Sequence, residues 1–118
     1  IGIISPYMDI ANKHISKFCE EAGFEVADIV EMRASSPSEI ANLSKDQIKK
    51  ALDIVDGPDV EALVQFGTNL DFLNQAPIEE EQRQKPVIAI NAASYWQALR
   101  MQGINNQYSN YGRLLAEF

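Results

Sequence analysis

A chain of 118 residues, 46% hydrophobic and 23% charged, matches one ordinary soluble domain and can bury about two-thirds of the surface its unfolded form exposes. Its 10 basic and 17 acidic residues leave a formal charge of −7, which repels phosphate backbones and anionic headgroups and argues against nucleic acid and membranes as main partners. One cysteine excludes an intrachain disulfide and a cysteine-based metal cluster and fits a reducing, cytoplasmic setting, and no apolar stretch is long enough for a signal-peptide core or a membrane span.

Ile1-Gly2-Ile3-Ile4-Ser5 reads as a first strand closed by Pro6, which a helix interior would not tolerate. It begins without methionine, as a processed product or a piece of something longer would. Asp9 is placed to cap a helix on which Ala11, Ile15, Phe18 and Ala22 recur at helical spacing until Gly23 closes it. Phe24 to Met32 follows as a second strand. Arg33 to Asn42 has little periodicity and contains Ser35-Ser36-Pro37-Ser38, so it reads as a long loop with one turn around Ser38 to Ala41; such loops are often functional. Ser44 and Gln47 then form a capping box, with Leu43 placed to staple onto Ile48. Ile48, Ala51, Leu52 and Val55 make the buried stripe of that helix, and Gly57-Pro58 stops it.

Ala62 to Phe66 is the third strand, mostly apolar on both faces as strands of parallel sheets tend to be. A broken helix is expected from Thr68 or Asn69, restarting at Pro77 in a first helical position with Glu79 to Glu81 as its solvated, dipole-favoured start. Pro86 introduces a fourth strand, Val87 to Ile90, and Asn91 is placed to cap a helix carrying Tyr95, Trp96 and Leu99 to its end at Gly103. Tyr111 to Leu115 suggests a short terminal helix. Four alternations of strand and helix predict an α/β fold over residues 1–118, a single domain with a four-stranded parallel sheet flanked by helices and joined by right-handed crossovers.

Sites in such folds lie beyond the carboxyl ends of the strands. That rule selects Ser5-Pro6-Tyr7, the Arg33 to Ser38 loop, Gly67-Thr68-Asn69 and Asn91 to Ser94, which are rich in hydroxyls and amides and poor in charge. Free N–H groups there suit a small carboxylate, although the same residue types also serve as simple caps. Gly67 lets the backbone approach a ligand closely but cannot move a proton. Elsewhere the plain readings are favoured: Cys19 as an unreactive buried or half-buried thiol, His14 as a surface residue, Tyr95 and Trp96 as core. Glu79 to Glu81 lack the spacing of a metal site, and Arg113 could meet a ligand carboxylate or equally an acidic neighbour.

Ser5-Pro6-Tyr7, Gly67-Thr68-Asn69-Leu70 and Gly112-Arg113-Leu114-Leu115 give the chain a resemblance to the C-terminal half of an enzyme of the aspartate/glutamate racemase superfamily, nearest its maleate cis-trans isomerase and arylmalonate decarboxylase branch. The resemblance covers essentially the whole chain. It implies two similar α/β domains with the active site in the cleft between them and no metal or organic cofactor. Racemases of this kind use one cysteine from each half as acid/base catalysts; maleate isomerases use the first-half cysteine as nucleophile, and arylmalonate decarboxylases use the second-half cysteine to protonate a carbanion. By position, Tyr7 matches a tyrosine that helps bind a substrate carboxylate, and Thr68 and Asn69 match residues whose amides contribute to that binding. Gly67 stands where the second cysteine would be, so two-cysteine racemisation and decarboxylation through that cysteine both lose their proton donor. Pro37 lies near the place of an asparagine often found in the isomerases.

The resulting expectation is half of a cofactor-independent isomerase, racemase or decarboxylase for a small mono- or dicarboxylic acid. Tyr7, Gly67, Thr68 and Asn69 bind substrate, no residue of this chain is catalytic, and a cysteine in a missing N-terminal half or matching subunit does the chemistry. Homo-oligomerisation stays open. The alternative is a carboxylate-binding or interaction domain that has lost catalysis. A flavodoxin-like or phospho-receiver module fits less well, because the first strand lacks an acidic pair for magnesium and no glycine-rich phosphate loop is present.

Overall fold

A computed structural model describes residues 1–118. In chain order the elements are β1 (Gly2–Ser5), α1 (Asp9–Glu21), β2 (Asp28–Glu31), α2 (Pro37–Ala41), α3 (Lys45–Val55), β3 (Leu63–Gln65), α4 (Ala76–Arg83), β4 (Val87–Ala89), α5 (Ile90–Met101) and α6 (Arg113–Glu117). The four strands form one parallel sheet in the order β2-β1-β3-β4, as the alternation of elements predicts. All carboxyl ends therefore share one edge. The chain crosses from β2 over β1 to β3 through α3 and steps on to β4 through α4, while α1 makes the one return in the other direction.

The two faces of the sheet are covered unequally. Gly2, Ile4, Leu63, Val87 and Ala89 alternate onto the side packed by α3. A Cβ on Gly2 would lie 2.5 Å from the Val55 carbonyl oxygen, so the missing side chain is what lets α3 close onto β1. Ile48, Ala51, Leu52 and Val55 are the buried stripe of α3, and Ala92 of α5 and Leu115 of α6 join the same core. The start of α3 follows the capping box: the Ser44 hydroxyl accepts from the Gln47 amide at 3.3 Å, and the Gln47 side chain accepts from the Ser44 amide at 2.9 Å.

Several local expectations differ from the fold. Asp9 is the first residue of α1 and not its cap; Met8 holds that position, and Asp9 instead favours the helix dipole and pairs with Lys13 at 2.8 Å. α1 buries Asn12 and Cys19 in place of the Ala11-Ile15-Phe18-Ala22 stripe, because Asn12 is drawn inward to donate to the Tyr7 carbonyl at 3.2 Å. The second strand is limited to Asp28–Glu31, with Phe24 exposed. Part of the long loop is ordered as α2, where the Ser36 hydroxyl caps the Glu39 amide.

The helix expected at Thr68 or Asn69 does not form. Leu70 and Phe72 are drawn into the core, 2% and 1% exposed, and that holds the chain in turns until α4 begins at Ala76 with Pro77 in its second position. Nor are Glu79 and Glu80 solvated. Glu79 accepts from Arg83 and Gln75, and Glu80 accepts from the Val87 amide and, at 2.8 Å, from the Arg113 amide, so both carboxylates are buried with partners. Tyr95 is half exposed and not core, whereas Trp96 packs against the core as expected.

Candidate functional site

The four predicted strand ends meet at one edge and are stitched to one another by backbone and amide groups. From β1, Ser5 accepts the Met32 amide and Pro6 the Ala34 amide, at 2.8 and 2.9 Å, which ties the loop after β2 to the end of β1. The Ser5 hydroxyl accepts from the Tyr7 amide at 3.2 Å and sets the direction in which the chain leaves the strand. From α5, Asn91 donates its side-chain amide to the Thr68 carbonyl at 2.9 Å; it lies within the helix and is not its cap. The Asn69 side chain donates to the Pro37 carbonyl on α2.

Gly67 is the pivot of this edge. Its φ of +100° belongs to glycine, and a Cβ there would lie 2.5 and 2.7 Å from the Pro6 ring carbons Cγ and Cδ. The same Cβ position is 3.8 Å from Tyr7 Cζ, the carbon that carries the hydroxyl, so Pro6 and Tyr7 cover the glycine and occupy the space a side chain would need. Gln65 holds the turn from beneath. Nearly fully buried, it donates to the carbonyls of Phe66 and Gly67 at 2.7 and 2.8 Å and accepts from the Ile90 amide at 3.3 Å, joining β3 to the start of α5.

This scaffold leaves the amides of Gly67, Thr68 and Asn69 without a protein acceptor, while the Leu70 amide closes the turn on the Gly67 carbonyl at 3.1 Å. Three successive amides in a turn beside a phenol can hold an anion without a fixed cation. Of the expected site residues, Tyr7, Gly67 and Thr68 are brought together. The Asn69 side chain is engaged with Pro37, so only its backbone amide remains for a ligand.

Charged groups near this edge pair among themselves: Arg33, held at a φ of +52°, meets Glu31 at 3.1 Å. The hydroxyl and amide of Ser35 hold the Glu39 carboxyl below its usual range. Arg113 pairs with Glu117 at 3.1 Å, the second of its two expected roles. Burial pushes the Cys19 thiol up, consistent with an unreactive group. No three histidine, cysteine, aspartate or glutamate side chains converge as metal ligands.

Pro6 and Asn91, expected at this edge but not as supports of the turn, position it together with Gln65, which was not expected there. Gln65 left a signal: a glutamine alternating onto the buried side of an otherwise apolar strand must find partners there.

A family model described as arylmalonate decarboxylase matches residues 1–115. No curated protein matches. Among solved structures, a cysteine-to-serine mutant of Nocardia farcinica maleate cis-trans isomerase, carrying a covalently bound succinylcysteine intermediate, superposes with a TM-score of 0.93 at 22% identity over 99% of this chain and 48% of that one. The maleate isomerase Iso from Pseudomonas putida S16 gives 0.90 at 23% identity over 98% and 47%. An arylmalonate decarboxylase gives 0.81 at 21% identity over 97% and 52%. These likenesses establish the fold, and this chain spans about half the length of each of the three.

Proposed function

The chain belongs to the arylmalonate decarboxylase family, within the racemase-like fold shared with maleate isomerases, and on that premise we propose that it is the C-terminal half of a two-domain, cofactor-independent enzyme acting on a small mono- or dicarboxylic acid. The observation that carries the proposal is the turn at the end of β3: three successive unengaged amides, those of Gly67, Thr68 and Asn69, starting at a glycine that lies against Pro6 and Tyr7 and has no room for a side chain. In this reading the amides of Gly67, Thr68 and Asn69 and the Tyr7 hydroxyl bind one substrate carboxylate. Asn91 and Gln65 hold the turn in place, so the donors need little reorganisation as charge builds on the substrate.

Gly67 has no side chain, and the nearby Glu31 and Glu39 carboxylates are engaged with Arg33 and Ser35. A cysteine on the companion half supplies the chemistry, as nucleophile or as base. A succinylcysteine intermediate covalently bound in a cysteine-to-serine mutant of the Nocardia isomerase supports a cysteine as the attacking nucleophile in this fold. The test is to assay the complete polypeptide on maleate and on phenylmalonate, then replace each companion-half cysteine with serine. Turnover should fall by orders of magnitude for one of them. Activity that survives removal of all of them sinks the mechanism.

The filled position at Gly67 also favours a second reading, a carboxylate-binding domain without catalysis. It predicts calorimetric binding of the same acids with no turnover, and a companion half lacking cysteine at the strand end matching Gly67.

A further inference from the structure

A pocket that the carboxylate turn does not use opens between α5 and the segment that follows it. Asn91, Ala92 and Tyr95 lie on one face of α5 and form its first wall. The second wall carries Tyr108, Tyr111 and Leu115 and is closed on itself by the bond from the Tyr108 amide to the Leu115 carbonyl at 2.8 Å. Ala92 and Leu115 are its buried members, and the Tyr95 and Tyr108 rings bring the two walls together with centroids 6.2 Å apart and planes tilted by 52°. The cavity measures about 350 Å³, more than twice the roughly 150 Å³ that admits benzene to an apolar core.

Its chemistry is narrow. No charged side chain lines it, so an ion entering would lose water without gaining a counter-charge. The phenol rings offer flat apolar faces on which another ring can pack. Asn91 is the one lining side chain that is neither aromatic nor aliphatic. Its amide nitrogen is spent on the Thr68 carbonyl at 2.9 Å, which fixes the orientation of the group, and its amide oxygen accepts nothing from the protein, so one acceptor is left for a hydroxyl. The same bond separates the pocket from the turn. The Thr68 carbonyl faces Asn91, and across a trans peptide the following N–H points the opposite way, so a carboxylate on the Asn69 amide lies across the turn from Asn91.

We propose that this pocket is a second binding site, taking a small uncharged phenol whose ring packs among Tyr95, Tyr108 and Tyr111 and whose hydroxyl donates to the Asn91 amide oxygen. The site goes beyond the carboxylate reading and does not depend on it.

The experiment is amide NMR of the chain titrated with p-cresol. Saturable shifts should appear at Ala92, Tyr95, Tyr108, Tyr111 and the Asn91 side-chain amide, with a Kd of about 1 mM or tighter for so small a ligand. The methyl ether of p-cresol has no donor and should bind about fivefold more weakly or worse; equal binding overturns the part given to Asn91. Tyr95→Ala and Tyr111→Ala change exposed positions, so both variants should fold, and each should weaken p-cresol about fivefold or more. No saturable shift in the parent, or shifts that persist unchanged in both variants, overturn the site. Succinate separates this proposal from the carboxylate reading: it should shift the Gly67, Thr68 and Asn69 amides and bind together with p-cresol. Competition between the two makes the pocket an arm of the turn and overturns a second site, whereas failure of succinate to bind removes the carboxylate reading and leaves the pocket standing. The complete polypeptide should bind p-cresol as well; loss of binding there alone shows the pocket covered by another segment and overturns its assignment to a small ligand.

Discussion

Replacing Gly67 with alanine adds one methyl group at the pivot of the site. Two costs follow from the geometry. A non-glycine residue at a φ of +100° loses roughly 1–2 kcal/mol through Cβ and carbonyl crowding. The methyl would also overlap the Pro6 ring, at 2.5 and 2.7 Å, and a proline ring has no rotamer by which to yield, so overpacking adds about 1–3 kcal/mol. Urea unfolding followed by far-UV circular dichroism should therefore show Gly67→Ala destabilised by about 2–5 kcal/mol with an unchanged denaturant slope. Adding Pro6→Ala should return the overlap component and leave the backbone component, which a double-mutant cycle reads directly. A Gly67→Ala protein within about 0.5 kcal/mol of the parent would refute the claim that Pro6 fills this position. A cysteine meets the same obstruction, so Gly67→Cys alone should cost a similar amount and not create a working thiol.

Asn91→Ala removes the tie to the Thr68 carbonyl at an exposed position, so calorimetry should show carboxylate binding weakened several-fold while stability falls by about 1 kcal/mol or less. Glu80→Ala leaves the Val87 and Arg113 amides without their acceptor and should cost about 2–4 kcal/mol in urea, with Glu80→Gln costing less because one oxygen remains. For Asp56, burial pushes the carboxyl up but hydrogen bonds from Lys85 and Arg83 outweigh it and hold the pKa below the usual value. Its contribution is therefore present above the unfolded pKa of about 4 and is lost as pH falls through the lower folded value. Asp56→Asn should lower stability at pH 7 and flatten its loss below about pH 4, as read from urea midpoints across pH.

Some features that depend on near neighbours in sequence were legible, and several that depend on distant ones were not. The capping box at Ser44 needs only residues within one turn, and the four parallel strands follow from the alternation of apolar runs with helices. Thr68 and Asn69 have the composition of a helix start, yet burial of Leu70 and Phe72 decides the local conformation, and no local pattern announces it. Glu79 and Glu80 looked solvated because three acids in a row usually are. Their partners include Arg83 one turn on and the amides of Val87 and Arg113, which the fold delivers from β4 and α6. The site divides in the same way: Tyr7 and Gly67 could be selected from strand-end position, but the contact of Pro6 with Gly67 across β1 and β3 exists only once the sheet has formed.

A chain with a net charge of −7 can still serve a carboxylate, because amide dipoles act within a few ångströms while the overall field is screened over about 10 Å at ordinary ionic strength. The turn after β3 concentrates three such dipoles and holds them through Gln65 and Asn91, whose own partners are backbone carbonyls and an amide and not other charges. An arrangement of that kind changes little with pH, since neither of the two side chains that hold it titrates. On the half-enzyme proposal, any strong pH dependence of turnover near neutrality enters with the companion half, and a carboxylate affinity for this chain that is flat between about pH 6 and 8 is the result that proposal expects.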